Sequence, residues 1–109
     1  MEQRPSVYVM MSSYNGERFI EEQIDSILAQ QGEFDLFLHV RDDHSTDQTK
    51  KILESYAKKY SNITWEAGDN LGATLSFMQL IYGAGEFDYY AFSDQDDVWL
   101  TDKIQTALD

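Results

Sequence analysis

The feature that most constrains the fold is a regular alternation between short apolar runs and longer amphipathic segments. The apolar runs occupy residues 7–12, 34–40, 62–67 and 87–93. Between the first two runs, apolar residues recur on one face of a helix, at Ile20, Ile24, Ile27 and Leu28. The resulting β-α-β-α-β-α-β order predicts a parallel sheet covered by helices, because parallel strands need long crossover connections. We therefore predict an α/β fold with three layers, α/β/α, around a mainly parallel sheet.

Local signals predict where the helices begin and end. Asn15 is the predicted N-cap of the first helix, and Gly32 is its predicted stop. Ser45 and Gln48 have capping-box spacing before the second helix. The third helix has a predicted apolar stripe, made of Ala73, Phe77, Leu80 and Ile81. The last residues, TDKIQTALD, are typical of a helix start without a stop signal, so we expect the sequence to be part of a longer protein.

Charge and composition exclude several classes of protein. The 109 residues, enough for one compact domain, carry twenty acidic and eight basic side chains, a formal net charge of −12. Nucleic-acid-binding proteins normally have the opposite balance, so we expect no nucleic-acid partner. The sequence has no cysteine for a disulfide or a thiolate metal site, and no apolar run long enough to cross a bilayer. It also has no plausible Ser-His-Asp set, Walker loop or G-x-G-x-x-G motif.

Polar clusters follow three of the four predicted strands. The segment SSYN follows the first strand, RDDHSTD follows the second, and SDQDD follows the fourth. In open parallel sheets, ligands bind beyond the carboxyl ends of the strands. We therefore predict that the three clusters converge on one edge of the sheet and form one site.

The run of Asp94, Asp96 and Asp97 is the densest of these clusters. Carboxylates on a turn suit a hard cation such as Mg²⁺ or Mn²⁺, which keeps water or phosphate oxygens in the rest of its shell. The ordinary alternative is a solvated acidic turn or a helix N-cap, and the residues alone leave it open. An EF-hand is excluded, because the sixth and twelfth positions counted from Asp94 hold Trp99 and Gln105.

Asp42 and Asp43 end the second predicted strand, and Tyr14 and Asn15 lie in the first turn. A carboxylate can accept a hydrogen bond from the imide N–H of uracil or thymine, and an aromatic ring beside it can stack on the base. Paired acids could equally bind a metal, as in phosphoacceptor receiver domains, or be strand-end surface charges. These interpretations also stay open when the residues are taken alone.

Four segments of the sequence occur in a recognisable order: VMMSSYNGERFIEEQIDSILAQ, VRDDHSTDQTKKIL, DNLG and FSDQDDVWLTDKI. In this order they resemble the family 2 glycosyltransferases, and the resemblance covers about residues 7–104. The form of FSDQDDVWL together with YNGERF is most similar to bacterial rhamnosyltransferase-like members that build cell-surface polysaccharides. The resemblance implies the GT-A fold, a Rossmann-like nucleotide-diphospho-sugar transferase fold. Residues 1–109 would form its nucleotide-sugar-binding half, with the acceptor-binding half absent.

The resemblance also implies roles for individual residues. Contacts to the nucleotide sugar are implied for six of them: Ser12, Tyr14, Asn15, Asp42, Asp43 and Asp94. Contacts to a Mg²⁺ or Mn²⁺ ion are implied for three: Asp94, Asp96 and Asp97. Asp43 would read the imide of the base. The general base is expected C-terminal to Asp109, so the chain alone is expected to be inactive.

The implied reaction transfers a sugar from a dTDP- or UDP-linked donor, with inversion at the anomeric carbon. Rhamnose is the sugar suggested by similarity, and the implied acceptor is a cell-surface polysaccharide or lipid-linked glycan. The implied location is cytoplasmic, at the inner face of the cell membrane, with peripheral membrane association through regions outside this chain. Two alternatives are a noncatalytic homologue that binds a nucleotide sugar and a receiver-like regulatory domain that uses Asp42 and Asp43.

Overall fold

The computed structural model of the chain describes residues 4–94 and 98–109. Strands and helices alternate through the described residues, as the sequence predicts. The strands are β1 (Ser6–Ser13), β2 (Asp35–Asp42), β3 (Ile63–Ala67) and β4 (Tyr89–Ser93). The helices are α1 (Ile20–Leu28), α2 (Thr49–Lys59), α3 (Ala73–Gly83) and α4 (Lys103–Leu108). Across these two described ranges, no helix is long and apolar enough to cross a membrane.

The four strands form one parallel sheet in the order β3-β2-β1-β4. β1 lies inside the sheet, where Ser13 pairs with Asp42 on one side and Met11 pairs with Ser93 on the other. The chain builds outward from β1 through β2 to β3 and then returns to the opposite side of β1. This reversal creates a topological switch point between β1 and β4, the usual position of a ligand site in such sheets.

The main core lies between one face of the sheet and three of the helices. Alternate β1 residues such as Val9 and Met11 pack in one cluster with Ile24 of α1, Leu53 of α2 and Ile104 of α4. On the opposite face, α3 covers β1 through the contact between the Ser76 and Ser12 hydroxyls. The predicted α/β/α layering and parallel sheet are therefore confirmed.

The predicted helix ends were wrong in three places. α1 begins at Ile20 after Phe19 at the N-cap, which makes no side-chain cap, and it ends at Leu28, before Gly32. Asn15 has a positive φ of 48° and accepts a hydrogen bond from the Thr46 N–H instead of capping α1. The sequence pattern thus predicts a helix cap at Asn15, but its side chain instead joins two loops that are distant in the sequence.

The predicted capping box of α2 is also absent. The Ser45 hydroxyl donates to Asp42, and Gln48 at the N-cap makes no side-chain cap. In α3 the buried residues are Ser76 and Leu80, whereas two members of the predicted stripe, Ala73 and Ile81, are exposed. The physical reason is that α3 contacts the sheet with a narrow face, which includes a polar residue engaged in the site described below.

Candidate functional site

A cavity of about 330 Å³ opens at the carboxyl edge of the sheet, between the loop after β1, the end of β2 and the start of α3. Its size falls in the range of small-molecule sites. Seven residues line it: Ser12, Tyr14, Asp43, Asn70, Gly72, Ala73 and Phe77. Another hollow of about 360 Å³ lies beside β4 and α3 and is lined mainly by apolar residues. Of these two cavities, the first combines an aromatic ring, a carboxylate and small polar groups at the predicted edge, so it is the candidate site.

Asp43 is the carboxylate of this cavity, and three donors within the chain hold it. Arg41 Nη1 lies 2.6 Å from Asp43 Oδ1, and the Leu71 N–H donates to the same oxygen at 2.8 Å. The Gly72 N–H donates to Oδ2 at 2.9 Å. Gly72 has a φ of 85°, a conformation that favours glycine, and this lets the loop turn its N–H toward Asp43 at the start of α3.

These contacts set the ionisation of Asp43 and leave it room for a ligand. Burial raises the pKa of the Asp43 carboxyl, but the donations from Leu71, Arg41 and Gly72 outweigh burial and hold its pKa below the ordinary value. A carboxylate offers about four lone-pair positions, of which the three donors take three. The remaining position lies on Oδ2, so Asp43 is an ionised acceptor that can take one further N–H donor.

Arg41 is the centre of the hydrogen-bond network beneath the cavity. Besides Asp43, its guanidinium donates to Ser76 Oγ at 2.9 Å and to the Asp69 carbonyl oxygen at 3.0 Å. The Ser12 hydroxyl continues the network to Ser76 Oγ, at 2.6 Å. Gly68 lies against the same guanidinium, and a Cβ there would lie 2.3 Å from Arg41 Nη2. The network joins the ends of β1 and β2 to α3 and so fixes the walls of the cavity.

Nothing in the sequence alone marks Arg41 as functional. The signal that could have found it is its position two residues before Asp43, because alternate residues of a strand point to the same face. Asn70, Gly72, Ser76 and Phe77 are also absent from the sequence-based set of site residues. They belong to the cavity or its support because the loop after β3 folds back over the end of β2, a long-range arrangement that local patterns do not report.

Asp42 and Asn15 have structural contacts and do not line the cavity. Asp42 is fully buried and accepts hydrogen bonds from Ser13 Oγ, from the Ser45 N–H and from Ser45 Oγ. Asn15 receives the Thr46 N–H on its side chain, and its own N–H donates to Ser45 Oγ. The two residues join the loops after β1 and β2. The structure therefore gives no support to the predicted contact of either side chain with a nucleotide.

Tyr14 lies at the rim of the cavity with 43% of its surface exposed, the arrangement expected of a ring available for stacking. The structure thus brings together three of the predicted site residues, Ser12, Tyr14 and Asp43, in one hollow. Asn70 adds a further contact at this end of the cavity, because its Nδ2 donates to the Asp43 carbonyl oxygen at 3.2 Å.

β4 ends at the same edge of the sheet and leads into the acidic segment, residues 94–97. Ser93 pairs with Met11 of β1, and the exposed Asp94 follows it directly. Gln23 of α1 donates to Ser93 Oγ and to the Asp94 carbonyl oxygen. The predicted metal ligands Asp96 and Asp97 lie outside the described residues. Within the two described ranges no group of three or more His, Cys, Asp or Glu side chains could hold a metal ion. Asp94 itself is exposed, and a carboxylate oxygen is a ligand of the type that Mg²⁺ and Mn²⁺ prefer.

Comparisons with known proteins agree with this geometry. The model of the family described as Glycosyl transferase family 2 matches residues 8–109. The dTDP-rhamnosyl transferase RfbG of Shigella flexneri is 41% identical over 104 residues, which are 91% of this chain and 36% of that protein. The chain therefore spans about a third of the length of this curated relative.

Two solved structures are similar in fold. The crystal structure of Staphylococcus aureus TarS 1–349 has a TM-score of 0.81 and 27% identity, over 94% of this chain and 31% of that chain. The mannosyltransferase PcManGT from Pyrobaculum calidifontis, in complex with GDP-Man and Mn²⁺, has a TM-score of 0.77 and 26% identity. That match covers 97% of this chain and 32% of the other. The structures place the described α/β/α fold among GT-A glycosyltransferases.

We expect Arg41→Met to destabilise the chain by about 3–5 kcal/mol, because it leaves the Asp43 carboxylate buried without its charged partner. Urea unfolding followed by circular dichroism measures the loss. Lys58→Met is the matched control, since Lys58 pairs with Glu54 on the exposed surface of α2 and should change stability by less than about 1 kcal/mol. Equal losses in the two variants would contradict the structural role of Arg41.

The lowered pKa of Asp43 predicts how its contribution to stability depends on pH. Because its pKa is lower in the folded chain than in the unfolded chain, the contribution is fully present above about pH 4–5. It is lost as the pH falls toward the lowered value. Asp43→Asn should therefore cost more stability at pH 7 than near pH 3, as measured by urea unfolding at both values. Asp69→Asn, an exposed change in the adjoining loop, should follow the wild type at both pH values.

Proposed function

Because the chain belongs to glycosyl transferase family 2, we propose that it is the nucleotide-sugar-binding part of an enzyme that transfers a sugar from a nucleotide-diphosphate donor to a glycan acceptor. The observation that carries the proposal is the shared cavity of Tyr14 and Asp43 at the carboxyl edge of the sheet. The cavity lies at the carboxyl edge of the sheet, the edge at which open parallel sheets bind their ligands. β4 ends at the same edge, directly before the acidic segment.

In the proposed complex, the cavity holds the base. The open acceptor position on Asp43 Oδ2 takes the imide N–H of uracil or thymine, and the Tyr14 ring stacks on the face of the base. A carboxylate that remains ionised at neutral pH suits this task, because charge-assisted hydrogen bonds are stronger than neutral ones. One solved structure of TarS 1–349 is a complex with UDP, and RfbG is named as a dTDP-rhamnosyl transferase. We therefore propose a UDP- or dTDP-linked donor, with rhamnose as the first sugar to test.

The diphosphate would lie toward the acidic segment. Asp94, Asp96 and Asp97 are the residues that would hold a divalent cation, Mg²⁺ or Mn²⁺. When bound, such an ion offsets the negative charge of the diphosphate and acts as a Lewis acid. PcManGT, one of the similar structures, is a complex with Mn²⁺. Two further parts of the proposal rest on the family resemblance alone. The first is that the transfer inverts the anomeric carbon. The second is that the acceptor is a polysaccharide or lipid-linked glycan at the inner face of the cell membrane.

The receiver-like alternative is not favoured by the structure. Its metal and phosphate chemistry would need Asp42 and Asp43 to be accessible together, but Asp42 is fully buried and bonded to Ser13 and Ser45. Asp69, the acid nearest the end of β3, lies two residues beyond that strand and receives Arg41 on its carbonyl oxygen. A noncatalytic nucleotide-sugar-binding protein would use the same cavity, and transfer assays on the full-length protein distinguish it from the enzyme.

We expect Tyr14→Ala to weaken binding of UDP or dTDP by about 5- to 150-fold, the loss of one base–aromatic stack. Isothermal titration calorimetry on the 109-residue chain measures this affinity. Tyr82→Ala is the matched control, because Tyr82 is 78% exposed on α3 and does not line the cavity, so its removal should leave the affinity unchanged. Unchanged affinity in Tyr14→Ala would place the base elsewhere.

We expect Asp96→Ala to abolish most of the Mn²⁺-dependent gain in UDP or dTDP affinity while the circular dichroism spectrum and unfolding midpoint stay near those of the wild type. The reason is the loss of a proposed oxygen ligand, with the base contacts unchanged. Parallel titrations in Mn²⁺ and in a chelator measure the gain. A full metal-dependent gain in the variant would argue against a metal role for Asp96.

A further inference from the structure

The number of acceptor positions on Asp43 limits which bases the cavity can bind. Oδ1 already receives the Arg41 guanidinium at 2.6 Å and the Leu71 N–H at 2.8 Å. Oδ2 receives only the Gly72 N–H, at 2.9 Å, among the described contacts. Because the two oxygens of a carboxylate share about four lone-pair positions, Oδ1 is saturated and Oδ2 can take one more donor. Asp43 therefore presents a ligand with one acceptor position instead of two.

The Arg41 guanidinium is held in place and does not turn away to free Oδ1. Its Nη1 also donates to Ser76 Oγ at 2.9 Å, and its Nη2 donates to the Asp69 carbonyl oxygen at 3.0 Å. Gly68 lies against the guanidinium, since a Cβ there would be 2.3 Å from Nη2. Only 6% of the Arg41 side chain is exposed, so another position would leave a buried charge with fewer partners. Asp43 Oδ1 thus stays occupied while the chain is folded.

The cavity wall next to Asp43 adds another donor. Asn70 lines the cavity, and its Nδ2 donates one hydrogen to the Asp43 carbonyl oxygen at 3.2 Å. An amide nitrogen carries two hydrogens, so the second is available to a carbonyl oxygen of a ligand. The open acceptor position on Oδ2 therefore lies among hydrogen-bond donors, which come from Arg41, Asn70, Leu71 and Gly72.

Bases differ in the pattern of polar groups along the edge that would face Asp43. Uracil and thymine present one N–H between two carbonyl oxygens, which suits one acceptor among donors. Guanine presents two neighbouring donors, the N1–H and the N2 amino group, so its paired contact with a carboxylate needs one open position on each oxygen. The fold does not select the base by itself, because one TarS 1–349 structure is a complex with UDP and the PcManGT structure is a complex with GDP-Man.

From these contacts we infer that Arg41 and the Leu71 N–H restrict Asp43 to base edges with a single donor, so that the cavity binds uracil or thymine and rejects guanine. The inference rests on the proposed function, because it requires the base to lie against Asp43. The N2 amino group of a bound guanine would face the donors on Oδ1 and would have no acceptor. A buried donor without a partner lowers affinity by about 5- to 150-fold. Arg41 touches no base and acts through Asp43, so it is a positioning residue for base specificity.

A comparison of GDP with inosine diphosphate (IDP) tests the inference on the unaltered chain. The two nucleotides share the purine ring, the ribose and the diphosphate, and IDP lacks only the N2 amino group. We expect IDP to bind at least about fivefold more tightly than GDP, and UDP to bind more tightly than GDP. Isothermal titration calorimetry of the three nucleotides in one buffer with Mn²⁺ measures the affinities. If IDP bound no better than GDP, or if neither bound detectably, the purine ring would be the cause of rejection and the inference would be overturned.

Arg41→Met tests whether the selection depends on Arg41. The variant leaves Oδ1 with the Leu71 N–H alone and so opens a second acceptor position for the N2 amino group. We expect the ratio of IDP affinity to GDP affinity to fall to within about twofold of one, because guanine regains its partner. Arg4→Met is the matched control, since Arg4 pairs with Asp35 on the surface at the start of β2 and the variant should keep the wild-type ratio. A general loss of stability lowers both affinities together, so an unchanged ratio in Arg41→Met would contradict the role of Arg41.

The outcomes separate this inference from the proposed function. Failure of the wild type to bind UDP, IDP and GDP alike would contradict the proposed function and, with it, the inference. Binding of UDP together with equal affinities for IDP and GDP would overturn the base selection alone. The comparison in the wild type needs no variant, so it decides the inference even if Arg41→Met unfolds under the conditions of the titration.

Discussion

The ion pair between Arg41 and Asp43 is the interaction on which the rest of the site depends. Both side chains are buried, with 6% of the Arg41 side chain and 4% of the Asp43 side chain exposed, so each charge must find its partners inside the chain. Arg41 obtains them from Asp43, Ser76 and the Asp69 carbonyl oxygen. Asp43 obtains them from Arg41 and from the first N–H groups of the turn into α3. Satisfying two buried charges thus determines where the loop after β3 crosses the sheet and where α3 begins.

The same pair explains how two adjacent carboxylates acquire different tasks. Successive residues at the end of β2 point to opposite sides of the sheet. Asp42 points toward the loops after β1 and β2, where Ser13 and Ser45 enclose it. Asp43 points toward α3 and the cavity, where one acceptor position stays open. The backbone therefore separates a residue that joins loops from a residue available to a ligand, although the sequence presents them as one pair.

Features of the fold and the site could be predicted from the sequence when they depend on interactions between residues that are close together in the chain. The alternation of apolar runs and amphipathic segments was sufficient for the α/β/α fold, because strand and helix periodicities are local. The rule that ligands bind at the carboxyl edge was sufficient to bring Ser12, Tyr14 and Asp43 together. The caps assigned to Asn15 and Ser45 failed because those side chains bond to partners about 30 residues away or across a tight turn.

The contacts of Arg41 and Gln23 could not be predicted for a related reason. Each is a polar residue in a segment whose pattern is otherwise explained by a strand or a helix. Their partners, Asp69 for Arg41 and Ser93 for Gln23, are 28 and 70 residues away in the sequence. Only the three-dimensional structure shows these partners, because in the sequence both residues are ordinary polar exceptions to an apolar pattern.

The charge distribution gives an independent reason for the proposed cation. The chain has a net charge of −12, and the residues that line the cavity include no lysine or arginine. The guanidinium beneath the cavity, that of Arg41, is already paired with Asp43 and buried. A diphosphate placed at this edge would therefore meet net negative charge unless a positive partner came with it. A divalent ion held by aspartates after β4 would supply that charge at the diphosphate while leaving the base contacts to Tyr14 and Asp43, so an acidic chain can bind an anionic donor without basic side chains in its pocket.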